Sequence, residues 1–204
     1  MGSSQMTYSL MSKVLFLSMD FLNGKKTTLP KLKSLEIIVQ SPYQFWEWKA
    51  YKTTGHTYKS PKFLSKTLEY MEPPSELQNK GLWHFLIIDE LIRKKNIKEN
   101  FFMHKFIPQI FAFIYYHISS LIYVIKPRFS YRLKAECDNY AEQVYLDFLK
   151  QHPELSEEPF TSSFAKEYGD FRSLAALFQQ IATDKRVHKL ESLARVSSPK
   201  LSLT

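Results

Sequence analysis

Glycine is scarce in this chain of 204 residues, with five, and cysteine is nearly absent, with one. So few glycines leave little material for the tight turns of a many-stranded fold, and the long apolar and basic stretches favour helices. The single Cys137 excludes an intrachain disulfide framework and any cysteine-based zinc site. No run reaches the roughly 20 uninterrupted apolar residues that a transmembrane helix needs. The nearest, FIPQIFAFIYYHISSLIYVI over 106–125, holds Pro108, Gln109, His117 and two serines, and reads as a long buried or membrane-lying helix. No basic run is interleaved with exposed aromatics and no nucleic-acid motif occurs, which sets nucleic acid aside as a partner. The apolar opening MTYSLMSKVLFLSMDFL lacks a signal-peptide cleavage pattern and the Arg and Ser richness of a clear transit peptide.

What is present is apolar, aromatic and basic. Hydrophobic residues make up 44% and aromatics 15%, and 28 Lys and Arg against 20 Asp and Glu leave a net charge of +8. That balance, with a pI near 9.4, suits anionic lipid or a mitochondrial setting. The length is enough for one domain with a sizeable core.

Apolar spacing predicts six long helical stretches. They lie at about 9–23, 31–50 (interrupted at Pro42), 76–98, 101–125, 128–151 and 170–195, the last with Asp170 as its N-cap. A short helix ending in Pro73 and Pro74 follows the second. Residues 1–8 and 196–204 read as flexible ends around a helical domain over 9–195.

Acids recur inside apolar surroundings. Glu36 sits in LEIIV, Asp89 and Glu90 follow FLII, Asp138 lies within the fifth long helix, and Asp184, Lys185 and His188 lie in the last. A carboxylate among aliphatics costs several kcal/mol unless it is paired or bound to a cation. Such residues on four helices suggest a shared polar centre; the other reading is four separate solvated faces. In DKRVH, Lys185 stands three residues before His188, where a carboxylate-bridged metal site would place a Glu.

The order of these segments resembles the alternative oxidase family, the mitochondrial diiron ubiquinol oxidases, from about Val14 to Ala194. KVLFLSMDFLNGKKTTLPKLKSLEIIVQSPY is similar to the family's first helix, basic turn and LET helix, with Glu36 at the first ligand position. DELIR (89–93) is similar to the NERMH motif, with Glu90 on its Glu and Arg93 on its His. YVIKPRFSYRLKAECDNYAEQVYLDFL resembles the SPR-containing segment, with Asp138 at a ligand position and Tyr145 at the family's redox-relevant Tyr. DFRSLAALFQQIATDKRVHKL resembles the last helix, with Lys185 and His188 where the family has Glu and His.

The resemblance implies an all-α, ferritin-like four-helix bundle with additional short helices, monotopic in one leaflet (matrix side) of the mitochondrial inner membrane. Helices 9–23 and 101–125 would form the membrane face, each an apolar stripe followed by cations. It also implies a degenerate ligand set. Glu36, Glu90 and His188 match in type, Asp138 is a shortened match, and Arg93 and Lys185 cannot ligate while charged. The expectation is a metal-free core in which Glu36, Glu90 and Asp138 are balanced by Lys185 and Arg93. His188 and Tyr145 would then be packed core residues rather than an iron ligand and a redox tyrosine. At the family's quinol pocket this chain has Lys31, Leu35 and Tyr145, so ubiquinone is a candidate ligand. The function implied is a non-catalytic accessory subunit of a respiratory membrane complex, with no cofactor. The alternative is an active, divergent enzyme holding two iron ions, which would need Asp89, Asp184 or His84 in place of Arg93 and Lys185. A third class is a soluble helical binding module.

Overall fold

The computed structural model describes residues 8–23, 26–41 and 75–197, and all secondary structure among them is helical. Helix α1 is Leu10–Asn23, α2 spans 29–41, and α3 is Ser75–Lys94. A π-helical turn, Phe102–Phe106, leads into α4, Ile107–Ile125. Then come α5, Pro127–Gln151, a 3-10 turn at Pro153–Ser156, the one-turn α6, Ala165–Tyr168, and α7, Leu174–Ser197. The expected end of the second helix, the short helix after it, and residues 198–204 lie outside the described residues. So do residues 1–7, whereas Tyr8 is anchored, with its ring edge on Phe16 and its hydroxyl on Asn139.

Three helix boundaries differ from the spacing-based expectation, each for a local reason. α3 stops at Lys94 rather than near 98 because Asn96 takes a left-handed φ of 50°. Ile97 N–H then donates to Ile92 O and Asn96 N–H to Arg93 O, a Schellman closure. α7 begins at Leu174 because Ser173, not Asp170, caps it: Ala176 N–H donates to Ser173 Oγ at 3.3 Å. Pro108 has no N–H to give the preceding turn, and the wider π-turn that ends beside it accommodates the lost bond.

The core forms where α5 packs along α7. Tyr145, Phe148 and Phe178 interlock there, with Leu174, Leu177 and Ile181 beside them. α2 and α3 add Leu32, Leu35, Ile87 and Ile88. α1 and α4 lie on α5 from outside and are built the other way round. The inner face of α1 includes Ser12, which donates to the buried Glu136 at 2.5 Å, and Phe16, stacked on Tyr140 at 4.2 Å. α4 meets α5 through Ser119 and Ser130, 3.0 Å apart, and Tyr115 is also buried. The outer faces are apolar. Leu10 is 80% exposed and Leu17 69%, and Phe113, Leu121 and Val124 are each exposed by more than three fifths.

Gly169 links α6 to α7 at φ 133°, ψ 158°, a region essentially closed to side-chain-bearing residues. A Cβ there would also meet the Phe171 ring at 3.3 Å. Gly169→Ala is expected to lower stability by about 1–3 kcal/mol in urea unfolding, and an unchanged midpoint would contradict this backbone conformation.

Candidate functional site

Four helices aim polar side chains at one buried centre. α2 supplies Glu36, α3 His84, α5 Lys134, Asp138 and Tyr145, and α7 Asp184, Lys185 and His188, all nearly or fully shielded from solvent. Their placement follows helical spacing. Lys134, Asp138 and Tyr145 share one face of α5 at intervals of four and seven residues, and Lys185 and His188 lie one turn apart on α7.

Glu36 is the hub. Lys185 Nζ donates to its Oε2 at 2.7 Å and Tyr145 OH to its Oε1 at 2.6 Å. His84 Nδ1 lies 3.7 Å from Oε2, beyond hydrogen-bond distance but close enough for electrostatic attraction when the ring is charged. From His84 the network runs outward. Nε2–H donates to Asp184 Oδ2 at 3.2 Å, and Tyr168 OH donates to the same oxygen at 2.8 Å. Gln180 and the half-exposed Lys80 reach Asp184 Oδ1 at 3.1 and 3.5 Å. Lys134 Nζ meanwhile bonds both carboxylate oxygens of Asp138, one turn along the same helix and fully buried with it.

The electrostatics follow from this geometry. Burial pushes the Glu36 carboxyl toward its neutral form, but the attraction of Lys185 and His84 outweighs it and holds the pKa well below the usual carboxylate range. Asp184 behaves alike, with burial overcome by His84 and Tyr168. For the Lys134–Asp138 pair burial dominates, lowering the lysine pKa and raising that of the aspartate, while their mutual attraction opposes both shifts. Burial, followed by repulsion from Lys134 and Lys185, lowers His188 to about 2, so its imidazole is neutral. Burial and the Glu36 charge raise the Tyr145 phenol, which keeps its proton. Cys137, buried beside them, is pushed up to about 12 and is an inert thiol.

The structure brings together Glu36, Tyr145 and Lys185 of the expected set, and places Asp138 and His188 beside them. It does not bring in Glu90 and Arg93. The inward stripe of α3 is Gly81, His84, Ile88 and Ile92, and neither residue lies on it. Glu90 accepts from Ser162 Oγ at 2.6 Å and pairs with Lys94 at 3.0 Å. Arg93 is 69% exposed and pairs with Asp89 at 3.2 Å. Of the charge cluster read from sequence, His84 therefore takes the place given to α3's acid and cation. Lys134 was missed altogether, although its spacing from Asp138 within SYRLKAECD was a readable signal. Lys31 pairs with Asp20 at 3.0 Å, Leu35 is packed in the core, and the hydroxyl of Tyr145 is held by Glu36.

Whether such a centre suits two iron ions depends on its donors. A diiron site needs carboxylate oxygens and neutral imidazoles facing a common space. Here both oxygens of Glu36 accept from Lys185 and Tyr145, both of Asp138 accept from Lys134, and two ammonium groups occupy the space between the helices. Among the described residues no three His, Cys, Asp or Glu side chains gather as a metal site. The residues present do not fit a pair of irons. The arrangement neutralises charge internally: Glu36, Asp138 and Asp184 against Lys134, Lys185 and Lys80. Compared with known proteins, the chain matches no family model, no curated protein and no solved structure.

Removing one partner of the hub leaves the other charge buried alone. Lys185→Ala is expected to destabilise by about 3–5 kcal/mol, while Lys185→Met with Glu36→Gln recovers most of that loss. Urea titrations check this, and a Lys185→Ala loss below about 1 kcal/mol, as for an exposed pair, would place the bond in solvent.

The pH dependence has a definite sign. Below about pH 6.5 the unfolded chain protonates His188 while the folded chain keeps it neutral, so stability falls as pH falls, by up to about 1.4 kcal/mol per unit. Glu36 and Asp184, with lowered pKa values, lose their contribution only below about pH 4. His188→Gln is expected to flatten the unfolding profile between about pH 6.5 and 4.5 and leave the steeper acid limb. An unchanged slope would contradict a neutral buried imidazole.

Proposed function

We propose that this chain is a non-catalytic relative of the alternative oxidases. It is a ferritin-like four-helix bundle lying in the matrix-side leaflet of the mitochondrial inner membrane, where it serves as an accessory subunit of a respiratory complex. The observation that carries this reading is Lys185 on Glu36 at 2.7 Å, an ammonium on a carboxylate that the resemblance puts at a ligand position. Lys134 on Asp138 repeats the substitution of a cation of the chain for a bound one.

The apolar faces of α1 and α4 support the membrane part. Among the described residues, one helix, Phe102–Ile125, is long and apolar enough to cross a bilayer. Its packing favours lying in the interface. It is docked along α5, and a spanning orientation would draw Arg132, Lys134, Glu136 and Asp138 of α5 into hydrocarbon. At 14 residues, α1 is about 21 Å long, short of a bilayer core of about 30 Å. Lys13, Lys126 and Arg128 border the apolar surface with exposed cations, as an interfacial protein requires.

The test is metal content and company. Solubilised gently from its native membrane, the chain is expected to carry no stoichiometric iron, to show no cyanide-resistant quinol-dependent oxygen uptake, and to sediment with a large complex. About two irons per chain with that uptake would install the divergent oxidase instead. Release from membranes without detergent would install a soluble binding module.

A further inference from the structure

Beside the apolar face lies a cleft of about 670 Å³, between the start of α1, the end of α4 and the first turns of α5. We propose that it binds a single anionic phospholipid, one acyl chain lying in the cleft and the phosphate held by Lys126 and Arg132. This rests on the membrane reading above and goes further by assigning a discrete, charge-selective site.

The walls come from Met11, Ile122, Ile125, Phe129 and Leu133. Met11 and Leu133 also line a second groove of about 460 Å³ that continues between α1 and α4. Both volumes fall within the roughly 300–1,000 Å³ of small-molecule sites. Such a cleft, apolar along its length and opening onto an exposed apolar face, suits a chain of methylenes.

The lining also carries Lys126, Arg132, Glu136 and Ser9. Lys126 caps the end of α4, and its Nζ lies 5.7 Å from the centre of the Phe129 ring. It has no carboxylate partner among the described residues. Half-exposed Arg132 donates through Nε to Glu136 Oε1 at 3.2 Å, a bond that does not use its terminal nitrogens. Glu136 is the one acid on the lining, and its charge is already met. Its Oε2 accepts from Ser9 N at 3.0 Å, Ser9 Oγ at 2.6 Å and Ser12 Oγ at 2.5 Å. Lys126 therefore presents an ammonium with no carboxylate partner among the described residues, and Arg132, paired with Glu136 through Nε alone, keeps terminal N–H groups to share with a phosphate. A neutral amphiphile would bury the walls equally well but leave Lys126 unmatched.

The test uses the full chain in neutral detergent, which removes the general attraction of a basic protein to a charged bilayer. Phosphatidylglycerol or phosphatidylcholine is titrated in and adducts are counted by native mass spectrometry. One saturable phosphatidylglycerol per chain is expected, with phosphatidylcholine much weaker. Lys126→Gln with Arg132→Gln should weaken it by roughly tenfold or more. Ile122→Trp, which fills the cleft without changing charge, should do likewise. Lys13→Gln with Lys105→Gln removes two exposed cations outside the cleft and should leave binding intact. Unchanged helix content in each variant separates loss of binding from loss of fold. Equal binding of the two lipids, insensitivity to the cleft variants, or displacement by inorganic phosphate would overturn the lipid site. Cosedimentation with phosphatidylcholine vesicles separates the two readings. Vesicle binding without a saturable adduct sinks only the lipid site, and no vesicle binding sinks the membrane reading with it.

Discussion

The Lys185–Glu36 ion pair is the contact on which the interior depends. It joins α2 to α7 across 149 residues of sequence, and neither group meets solvent. A carboxylate so placed is tolerable only because an ammonium and a phenol take its two oxygens, and the ammonium only because a carboxylate faces it. Tyr145 brings α5 into the same bond set, and His84 brings α3 to its edge. The relative rotation of four helices is thereby specified by polar groups, each of which would be stranded by a turn about its own axis. Apolar packing of Leu177, Phe178 and Ile88 supplies the cohesion, but aliphatic contacts tolerate small rotations that a fixed hydrogen bond does not.

The periphery obeys the opposite rule. α1 and α4 bury serines beside Phe16 and Tyr115, and expose Leu10, Leu17, Phe113, Leu121 and Val124. In water this would be a poor arrangement, because contiguous exposed apolar surface beyond a few hundred Å² is rare on soluble monomers. A polar heart and an apolar flank therefore coexist: charges are matched inside the chain, while α1 and α4 keep large apolar side chains exposed.

How much of this was legible depends on the residue. Glu36 and Lys185 were, because a charge inside LEIIV or one turn before His188 has few places to go other than a partner. The helical class and most helix cores were also readable from apolar spacing. The register of α3 was not. DELIR offers an acid and a cation close together, yet Gly81, His84, Ile88 and Ile92 define the buried stripe and turn Glu90 and Arg93 to the outside. Lys134 escaped notice because a lysine is ordinarily a surface residue; only its spacing from Asp138 marked it. The apolar stripe of the first helix is legible from its spacing, but only the resemblance implies its outward direction; in the residues that direction depends on what α5 presents to Ser12 and Phe16, which is tertiary information. Asn96 and Ser173 set helix ends through single backbone or side-chain bonds that spacing does not encode.

The two buried lysines differ in when they can be satisfied. Lys134 finds Asp138 on its own helix, so that pair can close as soon as α5 forms. Glu36 must await Lys185, 149 residues further along. During synthesis, the second helix therefore leaves the ribosome with its central acid uncompensated and stays so until Lys185 has been made. A message broken before codon 185 would yield a product able to build most of its helices yet unable to close its centre. Such fragments would remain open at the core, conspicuous to the proteases that clear incomplete chains.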